Sequence, residues 1–179
     1  MFALSILMLG SMHAVQVTHL LHHKHCMDDD DVEASSARRS ALGAILIGPL
    51  FPLRVHARAL ALAKPRQRRW IWAELGANVV WIALVFSLLD VSALRYHVCA
   101  MAAGQCLTAF FAVWTVHHDC ERSHVLARTL RGRLKNLATF NMFFHLEHHL
   151  YPGVPTCHLG RLAERLDRAV PELQREQVF

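Results

Sequence analysis

The chain has 179 residues, enough for one domain. Its composition argues against a soluble protein: 54% of residues are hydrophobic, only 18% are charged, and the mean hydropathy is positive. The net charge of +5 does not point to nucleic acid, because the basic residues fall in two blocks beside apolar stretches. Arg54, Arg58, Lys64, Arg66, Arg68 and Arg69 form the first block, and Arg122, Arg128, Arg131, Arg133 and Lys135 the second, as in cytoplasmic loops flanking membrane spans.

In chain order, residues 1–18 are apolar and read as the end of a membrane helix (a partial span), without the charged start or small-residue cleavage site of a signal peptide. Residues 19–40 are polar and include the run Asp28 to Asp31. Residues 41–53 form an apolar piece of about a dozen residues, too short for a core of roughly 30 Å. Gly48, Pro49 and Pro52 interrupt it, so it is expected to lie in the interface or re-enter, with a basic loop at 54–69. Two span-length runs come next, 71–89 and 91–116, divided by Asp90 and read as a transmembrane hairpin. Two crossings return the chain to the side it left, so the residues before and after the hairpin can meet on one face. A helix-like stretch then covers Leu137 to His149, and Leu159, Leu162, Leu166 and Val170 recur at the spacing of an amphipathic helix. The five cysteines show no pairing framework and read as free thiols.

Fourteen histidines is a large excess for this length, and neutral imidazole is the commonest metal ligand. The pattern His-x-x-His-His occurs twice, at His19, His22 and His23 and at His145, His148 and His149. On a helix, positions i, i+3 and i+4 share a face, so three imidazoles can converge on a metal. Between them the second span ends in His117-His118-Asp119, and His118 is taken as a seventh ligand. Imidazoles spread over several helices suit two irons, with open positions for O2. Glu147 and Asp119 are expected to orient the ligating rings. His13 stands alone, His25 either contacts a ligand or is merely exposed, His56 and His158 have no evident partner, and His124 reads as a solvated loop residue. His97 is expected near the far interface, and Glu74 reads as interfacial rather than catalytic.

The stretch from Asn141 to Pro155, NMFFHLEHHLYPGVP, resembles the third histidine box of bacterial membrane fatty acid desaturases. His19 to His25 followed by the acidic run resembles their second box, and His118 to Thr129 is similar to the region that supplies an extra ligand. The resemblance implies an all-α integral membrane domain, residues 1–179, with a cytoplasmic histidine-rich cap. It implies a di-iron centre held by His19, His22, His23, His118, His145, His148 and His149, with Asn141 supporting the metal. The implied reaction uses O2 and two electrons from a separate ferredoxin-like or cytochrome-like donor to desaturate a lipid acyl chain. One departure stands out. Nothing before His19 supplies the family's first histidine box, so the chain begins inside a longer protein, or the centre is degenerate, or His13 and His25 substitute, although no pairing motif supports the last. Carotenoid ketolation or hydroxylation on the same scaffold, and a non-catalytic relative, stay open at this point.

Overall fold

A computed structural model describes residues 1–121 and 126–172, and these are almost entirely helical. Helices α1 (Phe2–Met8) and α2 (Met12–His25) come first. They are not the single helix end expected over 1–18, because the chain bends by 93° between them. Leu9 closes α1 in the left-handed region (φ 51°), and the Ser11 hydroxyl accepts the Ala14 N–H to start α2. A left-handed residue ends one helix and an N-cap begins the next, so the break is built into local chemistry.

Helices α3 (Ala41–Ile47) and α4 (Phe51–Leu62) are joined by a 3-10 turn, Gly48–Leu50. The run is thus continuous over 41–62, and the expected loop at 54–69 is helical to Leu62. Pro49 and Pro52 stand in first-turn positions, where a missing N–H costs nothing. Gly48 is required for contact: a Cβ there would lie 1.8 Å from the Cys106 carbonyl oxygen. Arg38, before the run, pairs with Asp29 (2.9 Å), and Arg58, within α4, approaches Asp30 (4.0 Å), so the acidic loop after α2 contacts this segment at two points. Ala37, Phe51 and Val55 also share a cluster with Ala109 and Val113.

Helices α5 (Pro65–Ser87) and α6 (Ser92–Thr108) form the hairpin. Pro65 opens α5, and Gln67 Oε1 accepts the Lys64 N–H (3.1 Å). α6 continues through a π-helical turn, Ala109–Trp114, into α7 (Thr115–His117). Three runs are long and apolar enough to cross a membrane: Ala41–Leu62, Pro65–Ser87 and Ser92–His117. Their exposed faces carry apolar residues such as Leu46 and Leu53, Trp72 and Val79, and Phe111, a lipid-facing pattern. Where α2, α4 and α5 meet, the contact is made by Ala14, Val17, Ala59, Ala63 and Ile71, and the small residues let the helices approach closely.

The stretch expected as one helix over 137–149 is two, α8 (Arg133–Ala138) and α9 (His145–Leu150). Phe140 and Asn141 adopt positive φ (53° and 65°) between them, which a helix cannot contain. The amphipathic helix expected after the exit turn is α10 (Leu159–Ala169), burying Leu159 and Ala163. Arg122 and His124 lie outside the described residues.

Candidate metal centre

Three helix ends bring the histidines together. The last two turns of α2 supply His19, His22 and His23, and the end of α7 supplies His117. The six-residue α9 supplies His145, His148 and His149. Their Nε2 atoms form two groups. His22, His117, His145 and His149 make a closed circuit with neighbouring separations of 3.2, 2.9, 3.2 and 3.2 Å. His19, His23 and His148 make a triangle with sides of 3.1, 2.9 and 3.2 Å. Cys26 lies at the edge of the first group, with Sγ 4.0 Å from His22 Nε2.

These contacts are not ordinary hydrogen bonds, and the opposite ring nitrogens show why. His22 Nδ1 lies 2.7 Å from an Asp31 carboxylate oxygen, and His19 Nδ1 lies 3.0 Å from Glu33. His117 Nδ1 lies 2.9 Å from the Leu126 carbonyl. Each partner only accepts, so Nδ1 carries the proton and Nε2 presents a lone pair. In the His22–His117 contact two lone pairs face each other at 3.2 Å. A cation between them turns that repulsion into attraction. Neighbouring nitrogens bound to one ion at about 2.1 Å lie about 3.0–3.4 Å apart, so the observed separations fit metal ligation.

Electrostatics supports the same state. Burial, reinforced by the neighbouring imidazoles, depresses the pKa values of His145, His148 and His149 and keeps these rings neutral. Burial works against the Asp31 carboxylate, but hydrogen bonds from His22, Met27 and Ala34 outweigh it and hold its pKa below the usual value. Asp31 also accepts the Glu33 N–H. It therefore braces both the acidic loop and the His22 ring.

At the candidate site the structure differs from the sequence reading for His118, Glu147, Asn141 and Asp119. His117, not His118, enters the cluster. His118 stacks on Trp114 (4.2 Å between centroids, 10° between planes), and its Nδ1 lies 2.8 Å from the Trp114 carbonyl. The π turn before it adds a residue to the helix. The extra residue rotates the rest of the helix by about 100°, so periodicity could not tell which of two adjacent histidines points inward. Glu147 is fully buried, and among the described residues its carboxylate is held by Thr129 and Arg131 rather than by an imidazole. It accepts from Thr129 Oγ1 (2.7 Å) and pairs with Arg131 (2.8 Å), which also forks onto Asp167 of α10 (2.9 and 2.7 Å). Asn141 donates to the Thr156 carbonyl (3.1 Å) and ties the turn before α9 to the exit turn. Asp119 takes positive φ (56°) and lies beside Arg38 and Arg39, away from the cluster. The carboxylates that do reach the rings, Asp31 and Glu33, had one sequence signal, the acidic run after the first motif.

The other described histidines lie outside the cluster. His25 pairs with Asp28 (3.2 Å). His13 pairs with the buried Glu74 (2.7 Å) and stacks on Trp70, so Glu74 anchors the start of α2 rather than standing at an interface. His56 is not partnerless: Ser11 N–H donates to its Nε2 (2.9 Å), and its Nδ1–H donates to the Pro52 carbonyl (2.6 Å). His97 Nε2 lies 2.9 Å from the Leu7 carbonyl.

An apolar cavity of about 280 Å3 adjoins the cluster. His19, His22, His117 and His145 are among its lining residues, with apolar side chains such as Phe51, Val55, Val113 and Met142.

Comparison with curated proteins and with solved structures gives no match. The fatty acid desaturase family model matches residues 1–178, nearly the whole chain. A membrane-type helical fold with two histidine circuits facing inward is thus accompanied by a full-length family match, and the chain belongs to the fatty acid desaturase family.

Proposed function

We propose that this protein desaturates a lipid acyl chain at a di-iron centre, using O2 and two electrons from a separate donor. His22, His117, His145 and His149 hold one iron, and His19, His23 and His148 the other. The observation that carries this reading is the pair of Nε2 circuits, together with the His22–His117 contact, in which two lone pairs face one another with no proton to share. Bound there, two irons supply the O2-derived oxidant that an unactivated C–H bond requires. The balance is one CH2–CH2 unit, O2, two electrons and two protons in, and one CH=CH unit and two waters out.

The protein's own groups orient and exclude. Asp31 and Glu33 fix the ring tautomers of His22 and His19. The cavity walls receive an apolar chain against the imidazoles and keep bulk water away from the reacting carbons. The cluster end of α6 is followed by Arg128, Arg131, Arg133 and Lys135, whereas the α5–α6 turn carries Asp90, and this excess of basic residues supports a cytoplasmic centre. The exposed Arg161, Arg165 and Arg168 of α10 offer an acidic electron donor a docking face.

The test is iron content of the detergent-purified chain beside a His148→Ala control. Close to two irons per chain, falling in the control, supports the reading. Iron that does not depend on His148 would refute it.

A further inference from the structure

The short helix α8 and the turn after it carry an unusual surface. Leu134 (81% exposed) and Phe140 (82%) are the most exposed large apolar side chains among the described residues, and Leu137 (73%) lies between them in sequence. Only Asn136 of α8 is buried. Its Nδ2 donates to the Leu130 carbonyl (2.6 Å) and the Gly132 carbonyl (3.2 Å), so one polar side chain fastens the helix and its apolar residues take no part in the core. Arg133 and Lys135 on the same helix are also exposed.

Two observations say what covers this surface. Met142, two residues beyond Phe140, lines the same cavity as Thr108, Ala112 and Val113, near the end of the membrane-length run Ser92–His117. The segment therefore sits at the level where that run leaves the apolar layer. The cations beside the apolar side chains fit a lipid surface carrying negative headgroups.

We propose that Arg133–Met142 is an in-plane membrane anchor. Leu134, Leu137 and Phe140 insert at the boundary between headgroups and acyl chains, and Arg133 and Lys135 lie against anionic phosphates. The anchor fastens the α8–α9 turn to the bilayer directly before the histidines of α9. It rests on the membrane placement of α6 and not on desaturase chemistry, so its failure would leave the proposed reaction standing.

The test is thiol accessibility in the full chain reconstituted into phospholipid nanodiscs. In a background with Cys99→Ala and Cys157→Ser, Leu134→Cys and Leu137→Cys are each treated with a membrane-impermeant maleimide. Glu164→Cys on the exposed face of α10 is the aqueous control, and labelling in denaturing detergent shows that each thiol is competent. The two α8 thiols should react about tenfold or more slowly than the control in discs containing phosphatidylglycerol. The protection should weaken in Arg133→Gln/Lys135→Gln. Labelling as fast as the control would overturn the proposal and place this surface in water, where a soluble partner could cover it.

Discussion

Replacing Asp31 by asparagine tests the tautomer argument directly. One Asp31 oxygen takes the His22 Nδ1 proton and the Met27 N–H, and the other takes the N–H groups of Glu33 and Ala34. Asparagine keeps one accepting oxygen for Glu33 and Ala34. Its amide nitrogen then faces two donors. His22 can relieve this only by moving its proton to Nε2, which points into the cluster. Iron affinity at the His22 group should fall about 10–100-fold, the usual cost of losing a carboxylate that orients a ligating imidazole. Stability should fall by about 1–3 kcal/mol, because the Met27 N–H loses its acceptor. The matching change Glu33→Gln should cost less. The His22 and Asp31 side chains are both 2% exposed, whereas His19 is 37% exposed and water can replace its partner. The assay is iron retained per chain against a graded chelator, with thermal unfolding in the same detergent. A folded Asp31→Asn protein that holds both irons as tightly as the parent would refute the reasoning.

The same geometry makes further outcomes testable. His117→Ala should lose iron from the four-histidine group, whereas His118→Ala should keep it and lose the stacking on Trp114 and the Nδ1 contact to its carbonyl, about 1–3 kcal/mol in thermal stability. Arg131→Met leaves the buried Glu147 carboxylate without its cation, and should lower stability by about 2–4 kcal/mol, read as an earlier melt, with Arg131→Lys intermediate. The depressed pKa values of His145, His148 and His149 mean that the folded, metal-free protein binds fewer protons than the unfolded chain below the ordinary histidine value of about 6.5. Their contribution is complete above that pH and is lost as pH falls below it. Melts of the metal-free protein should therefore be lower at pH 5.5 than at pH 7.5, and an equal or higher melt would contradict the neutral-imidazole picture.

Much was legible in the sequence because its signals are local. The long apolar runs announced α5 and α6, since burying about 20 residues in lipid needs little beyond length and composition. The two His-x-x-His-His patterns announced six of the seven clustered histidines, because helical geometry alone puts i, i+3 and i+4 on one face. Helix ends and bends were harder to read. The break at Leu9–Ser11 depends on a left-handed residue and a cap, and the turn at Phe140–Asn141 on two positive φ angles, neither of which an apolar pattern records.

What only the tertiary structure decided is which groups meet. The choice of His117 over His118 depends on the π turn in the preceding helix. The pairing of Asp31 with His22 and of His13 with Glu74 depends on where the acidic loop and α5 pack against α2. Glu147, adjacent to His148 in sequence, faces away toward Arg131, because consecutive helical residues point in directions about 100° apart. The amino-acid sequence by itself determined a membrane-type helical protein with histidine motifs suited to metal. Packing determined how those histidines divide into two groups and which carboxylates fix their protons, because both depend on contacts between residues as far as 129 positions apart.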